Sequence, residues 1–456
     1  MTDDVDTTVA ELRARVAALM PAARADLERL VRIPSVSAPG HPQAPLGQAA
    51  DAVAAIARRL GLETRLLEVP GSSPAVLGER PAAPGAPTVL LYAHYDVQPP
   101  GPEERWTSPP YVPVERGGRL YGRGTADDKG GVVMHATALA ALGDDHRLGV
   151  KLLVEGAEEV GAGALEDLVR ARPELVAADV MVVADLGNVA LGEPTLTTSL
   201  RGMVKLTVSV ATLAGPVHSG AYGGAAPDAL VALVRMLATL HDEAGDVAVA
   251  GLDARTYDGP AWDEATFRRE AGVLDGVVLP GTGTIADRVL TRPSVTITGL
   301  DATAVTEAVN AVVPTARAVL AVRLAPGQTP AAAAAALTRH LRAVAPWNVA
   351  LEIVETGAGG GFLARTDGPA LDTARRALEA AFGRPVVHMG QGGSIPLVAA
   401  LLEAAPRAEV ILWGPAEPQA RIHGTDESVD LAELERCTLA EALFLSLWGA
   451  GAPAGR

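Results

Sequence analysis

Thr88-Val89-Leu90-Leu91-Tyr92-Ala93-His94-Tyr95-Asp96 runs from an apolar stretch of strand length directly into a histidine and a carboxylate two positions apart. On a strand, residues i and i+2 face the same way, so His94 and Asp96 point together. A carboxylate beside an imidazole fixes its tautomer, which is the usual support for a metal-bound histidine. Taken alone, the pair more often marks a histidine satisfied at a strand end.

Working outward, Val150–Glu155 and Asp179–Ala184 read as further strands, and Gly131–Leu142 and Ala164–Arg172 as helices. Strand–helix alternation of this kind predicts a mostly parallel sheet in an α/β layer. Upstream, Leu12, Val16 and Leu19 have helical spacing in a segment reaching about Val31, with a break expected at Pro21, and a second helix follows at Gly47–Leu60. The pattern changes near Leu196. Gly202–Leu213 alternates through Val204, Leu206, Val208 and Val210, as a half-exposed antiparallel strand does. Pro227–His241 and Pro330–Ala345 read as helices, and Ser294–Gly299, Ala316–Leu324 and Val349–Glu355 as strands, an α+β inventory of its own. After Gly357–Gly361 the α/β style resumes with helix Leu371–Phe382, strand Val410–Trp413 and helix Val429–Leu447. The expected plan is an α/β domain in two segments, 1–196 and 358–456, interrupted by an inserted α+β domain, 197–357.

The chain has 456 residues, a length that predicts two or three domains. Apolar residues are 48%, enough for a sizeable core. Fifty-four acidic against 38 basic residues give a net charge of −16, which disfavours nucleic acid and anionic membrane as partners and suits a cationic cofactor. A single cysteine, Cys437, excludes an intramolecular disulfide and a cysteine-based zinc finger. The first twenty residues are acidic where a secretory signal is basic. The uncharged stretch Leu206–Pro227 is broken by Gly215, Pro216 and His218, so no membrane span is expected. These features predict a soluble, cytoplasmic protein.

Four more groups of ionisable residues join His94 and Asp96. Gly122-Arg123-Gly124-Thr125-Ala126-Asp127-Asp128-Lys129-Gly130-Gly131 precedes a helix, with two aspartates at the apex of a glycine-permitted turn. Glu158-Glu159 follows the strand that ends at Glu155; adjacent glutamates in a loop point apart, so one can ligate while the other serves as base. Asp185 follows the strand Val180–Ala184, and His423 lies in a loop ahead of the last helix. Each has a structural explanation by itself; aspartate, for example, is favoured at any helix N-terminus. Together they fall at the carboxyl ends of successive strands, where open α/β sheets build sites. Two histidines and several carboxylates without cysteine suit paired divalent metals such as zinc, manganese or cobalt.

The series His94-Tyr95-Asp96-Val97-Gln98-Pro99, the 122–131 segment, Glu155-Gly156-Ala157-Glu158-Glu159, Asp185 and His218-Ser219-Gly220-Ala221-Tyr222-Gly223-Gly224 resembles the M20 metallopeptidases, closest to the branch of cytosolic nonspecific dipeptidases and carnosinases. Gly392-Gly393-Ser394-Ile395-Pro396 and the loop at His423 continue the match, which runs from about residue 20 to 447. The resemblance implies a zinc-peptidase-like catalytic domain, with a mixed sheet flanked by helices, plus an inserted α+β lid and dimerisation domain. It implies two divalent metal ions, zinc foremost with manganese or cobalt as alternatives, bridged by Asp127 and a water, with His94 and Asp185 on one and Glu159 and His423 on the other. Asp96 would orient His94, and Glu158 would be the general base and acid of dipeptide hydrolysis. His218, from the partner subunit of a homodimer, would polarise the scissile carbonyl. Arg323, Ser394 and Gly393 would bind the substrate carboxylate and backbone, with Asn310 a further candidate. The resemblance also implies a cis peptide between Asp127 and Asp128.

Two positions depart from the family pattern. Gln391 stands where glutamate is expected, leaving side-chain selectivity open, and Gly424-Thr425-Asp426-Glu427 replaces the more familiar Ser-x-Asn-Glu. Neither removes a ligand. A deacylase of acetylornithine or succinyl-diaminopimelate type would share every ligand and is the alternative within hydrolases; Gln98 and the length of the inserted domain favour the dipeptidase. A non-catalytic binding protein would have lost a ligand or the base, and none is lost. His41, His135, His146, His241, His340 and His388 are expected to be structural or solvated.

Overall fold

The computed structural model describes residues 2–161, 163–393 and 395–451. The chain divides into two compact units. One comprises Met1–Thr198, Ala364–Met389 and Ala400–Arg456; the other comprises Ser199–Leu363 and Gly390–Ala399.

The first unit is built on a six-stranded sheet. Its order is Glu63–Leu67, Ala75–Arg80, Gly149–Glu155, Thr88–His94, Val180–Val183 and Glu409–Leu412. The first three strands pair antiparallel, and the last four run parallel. In the central strand every residue from Val89 to His94 is buried, which is why its sequence is an unbroken apolar run and not an alternation. Helices Thr2–Val31, Ala44–Arg59, Lys129–Leu142, Pro369–Phe382 and Leu431–Gly451 join the sheet in one continuous core. That core includes Leu27, Val53, Leu91, Val133, Leu152, Val182, Leu378 and Phe444.

Pro21 does not break the first helix, which continues from Thr2 to Val31. Proline inside a helix costs about 3 kcal/mol through a lost hydrogen bond and a clash. Here Pro21 and Ala17, whose carbonyl loses its partner, are both exposed to water, while Leu12, Val16, Ala23, Leu27 and Leu30 are buried on the opposite side. Burial of that stripe outweighs the penalty. The last helix begins at Leu431 instead of Val429, because Ser428–Asp430 pairs antiparallel with Arg119–Tyr121. Among the described residues no helix is long and apolar enough to cross a membrane.

The second unit is a four-stranded antiparallel sheet in the order Ser294–Asp301, Thr315–Leu324, Gly202–Ala211 and Ala350–Gly359. Strand Gly202–Ala211 buries Val204, Leu206, Val208 and Val210 against Leu233 and Met236 of helix Ala229–Ala238 and Leu337 and Leu341 of helix Pro330–Val344. A small two-stranded ribbon pairs Val217–His218 with Ala311–Val312.

Candidate metal centre

Strand Thr88–His94 delivers His94, fully buried, to its C-terminal end. Nδ1 of His94 lies 3.0 Å from the backbone oxygen of Asp96 and 3.4 Å from its carboxylate. Nε2 faces Asp127 Oδ1 at 3.0 Å and Asp185 Oδ1 at 3.7 Å. The Asp96 carboxylate also holds the next loop. It accepts the backbone N–H groups of Glu158 at 3.2 Å and Glu159 at 3.1 Å, and the hydroxyl of Ser37 donates to it at 2.6 Å.

Glu158–Val160 form one helical turn just beyond strand Gly149–Glu155. The chain reaches that turn past the Tyr95 hydroxyl, and a Cβ at Gly156 would sit 2.1 Å from it, so glycine is required. Glu159 is gripped by Gln98. The Gln98 backbone N–H donates to Oε1 at 3.1 Å, and its Nε2 donates to Oε2 at 2.8 Å and to the Glu159 backbone oxygen at 3.2 Å. His423, whose backbone is left-handed at φ 61°, brings Nε2 to 3.0 Å from Asp127 Oδ2 and 3.1 Å from Glu159 Oε2. Asp127 thus turns one oxygen toward His94 and the other toward His423.

The loop before helix Lys129–Leu142 is tightly set. The Asp127–Asp128 peptide is cis. Asp128 accepts the backbone N–H of His94 at 3.2 Å, and a Cβ at Gly131 would lie 2.1 Å from Asp128 Oδ1. Lys129 is fully buried and donates to the backbone oxygens of Leu30 and Ile33 at 2.9 and 2.8 Å, which fastens the loop to the end of the first helix. Burial pushes its ammonium down to about 7.

His94, Glu158 and Asp185 form one cluster of possible metal donors, and Asp127, Glu159 and His423 form another; within each, the donor atoms lie within 4.8 Å of one another. Four carboxylates crowd two imidazoles, and among the described residues no lysine or arginine pairs with any of the four. Burial and the Asp185 charge raise Glu158 well above the ordinary carboxyl range, and burial brings Asp185 up to about 6. Burial would lower His94, but its hydrogen bonds to Asp127, Asp185 and Asp96 raise it. Bonds to Asp127 and Glu159 raise His423 to about 10. This excess of buried negative charge calls for cations, and imidazole with carboxylate but no thiolate is a donor set for zinc, manganese or cobalt. The residues fit a pair of divalent ions. Such a centre can activate water and polarise a carbonyl.

The remaining candidates lie in the second unit. His218 is exposed, and its Nδ1 accepts the Gly220 N–H at 3.1 Å, so the neutral ring carries its proton on Nε2 as a donor. Asn310 adjoins it, accepting the Ser219 N–H at 2.9 Å through its backbone oxygen. Arg323 is half-buried on strand Thr315–Leu324, near enough to Arg201 for the two charges to interact. Arg201 donates from its backbone to Gly393 O at 3.1 Å and from Nε to Gly392 O at 3.1 Å. Ser394 lies outside the described residues. His135 is buried between Glu441 and the Tyr92 backbone oxygen, a structural histidine.

The description of peptidase family M20/M25/M40 matches residues 90–446. The chain belongs to that family. This M20 peptidase is 43% identical over 409 residues to the cysteinylglycine-S-conjugate dipeptidase of Corynebacterium striatum, covering 88% of this chain and 90% of that one. It is 27% identical over 437 residues to a Cys-Gly metallodipeptidase of Schizosaccharomyces pombe, covering 89% and 91%. The crystal structure of human carnosine dipeptidase 1 superposes on it with a TM-score of 0.79 at 25% identity, covering 96% of this chain and 98% of that one.

Gln98, Ser37, Arg123 and Glu427 are the residues that sequence reasoning missed as parts of this M20 centre. Gln98, Arg123 and Glu427 stand inside motifs quoted for the resemblance, but their partners are side chains and loops far along the chain.

Proposed function

We propose that His94, Asp127, Glu159, Asp185 and His423 would hold a pair of divalent ions, zinc foremost, and that Glu158 is the general base. The reaction of this M20 metallodipeptidase is hydrolysis of the peptide bond of a dipeptide. The observation that carries the division of roles is the contrast between adjacent glutamates. Glu159 is fastened by Gln98 and faces His423, as a ligand must be. The Glu158 carboxylate accepts no hydrogen bond among the described residues, which leaves it free to move a proton.

When bound, the ions would lower the pKa of a water and polarise the scissile carbonyl. Glu158 takes the water's proton and passes it to the departing amine. Asp96 keeps His94 turned toward the centre and fixes the Glu158–Glu159 turn by accepting both backbone N–H groups. His218 supplies Nε2–H to the developing oxyanion, an interaction made mainly in the transition state. Arg323, with Gly393, Ser394 and Asn310, holds the substrate carboxylate and backbone. The unit centred on Ser199–Leu363 is the lid and the homodimer contact, and its His218 serves the neighbouring chain. The enzyme works in the cytoplasm, unattached to membrane or nucleic acid.

The test is a substrate panel on protein stripped of metal and reloaded with zinc, manganese or cobalt. Ala-Ala, Gly-Leu, Cys-Gly and carnosine are set against N-acetylornithine and N-succinyl-diaminopimelate. Metal-dependent cleavage of dipeptides is expected. Preference for the acylated amino acids makes the enzyme a deacylase, and metal binding without cleavage of any compound makes it a binding protein.

A further inference from the structure

One buried ion pair touches three of the loops that build the centre. Arg123 and Glu427 are 1% and 0% exposed, and Arg123 Nη1 donates to Glu427 Oε2 at 2.6 Å. The same carboxylate accepts the backbone N–H groups of Gly124 and Ala126 at 3.0 Å and of Asp127 itself at 3.2 Å. Arg123 Nη2 donates to the backbone oxygens of Gly424, next to His423, at 3.2 Å and of Pro99, next to Gln98, at 3.3 Å. Each contact therefore abuts Asp127, His423 or the residue that grips Glu159. Among the described residues no hydrogen bond runs from the pair to His94, Glu158 or Asp185.

Desolvation offsets most of the attraction within a buried ion pair, so it is a poor source of stability compared with packed apolar side chains. What this pair supplies is direction. A carboxylate that accepts three N–H groups within four residues, those of Gly124, Ala126 and Asp127, fixes the curvature of the Asp127 loop, and a planar guanidinium with donors at set angles fixes two further loops against it.

We propose that Arg123 and Glu427 are positioning residues that set chiefly the affinity of the Glu159–His423 side of the centre for its cation, and reach the cation of His94 and Asp185 only through Asp127, whose Oδ1 lies 3.0 Å from His94 Nε2. This rests on the two-cation reading above. Loss of the outer supports of a metal site commonly weakens binding 10–100-fold.

Metal-free wild type, Glu427→Gln and Arg123→Lys are titrated with chelator-buffered zinc, with metal content measured by mass spectrometry and thermal midpoints recorded. Glu427→Gln turns an amide N–H₂ toward Arg123. Arg123→Lys keeps the charge but cannot reach Pro99 and Gly424 together, and it carries the test if the first variant fails to fold. Wild type should bind two ions. In the variants one ion should be held about 10–100-fold more weakly than in wild type, and the other should change clearly less. Equal weakening of both ions, tracking the thermal midpoint, means a merely structural role and overturns the proposal, as do two unchanged affinities. Wild type that binds a single ion refutes the two-cation reading itself, and the proposal with it.

Discussion

Replacing Gln98 with alanine removes two of the three hydrogen bonds that Gln98 makes to Glu159. The lost pair are Nε2 to Oε2 at 2.8 Å and Nε2 to the backbone oxygen at 3.2 Å; the backbone N–H to Oε1 at 3.1 Å survives. A hydrogen bond to a charged acceptor is worth about 1.5–3 kcal/mol, and each 1.4 kcal/mol is about tenfold in affinity. The Glu159 side chain is only 5% exposed, but its carboxylate keeps the Gln98 backbone N–H, so the lower end of that range applies. The expected result is about tenfold weaker binding of one zinc ion of the pair, with the other unchanged within twofold. Competition against a chromophoric chelator, read as two successive dissociation constants, measures both. Gln98→Glu should weaken the same ion at least as much, because it sets a second carboxylate against Glu159. If both dissociation constants of Gln98→Ala match wild type within twofold, Gln98 does not position a ligand and the reasoning fails.

Two further outcomes are expected. Homodimers of His218→Ala and of Glu158→Ala should each be inactive on dipeptide, yet activity should return when they are unfolded and refolded together, carried by the one heterodimer site that has Glu158 from one chain and His218 from the other; no recovery with heterodimers confirmed by mass spectrometry places His218 outside the partner's site. Burial and the neighbouring Arg80, which donates to Nδ1 at 2.7 Å, push His146 down to about 4, so the unfolded chain binds the extra proton first as pH falls from about 6.5. Wild type should therefore lose more stability between pH 6.5 and 4 than His146→Gln, by about 1 kcal/mol at most for a half-exposed ring, measured as the difference in thermal midpoints; parallel pH profiles would contradict it.

Parts of the fold are legible in the sequence for simple reasons. Thr88–His94, Gly149–Glu155 and Val180–Val183 are buried strands, so nearly every residue is apolar and the run is unmistakable. Strand Glu63–Leu67 is not legible because it lies at the sheet edge, with Glu63, Arg65 and Leu66 exposed, and its sequence carries no period. The Pro21 helix misleads because a local penalty yields to packing that local sequence does not display. At the centre, the types of the donors are readable, since divalent metals restrict them to histidine and carboxylate in a chain with one cysteine. Their supports are not. Gln98 meets Glu159 across 61 positions and Arg123 meets Glu427 across 304, and no local pattern encodes contacts of that span.

The proposed division of roles between Glu158 and Glu159 is tested most directly on a single preparation. Glu158→Gln is loaded with zinc, and metal content and dipeptide turnover are measured on the same sample. The carboxamide preserves shape but cannot accept the water's proton. Two zinc ions per chain should remain, with kcat lowered about 10²–10⁴-fold. Loss of one ion from this variant, or turnover within tenfold of wild type, would contradict the assignment of Glu158 as the base.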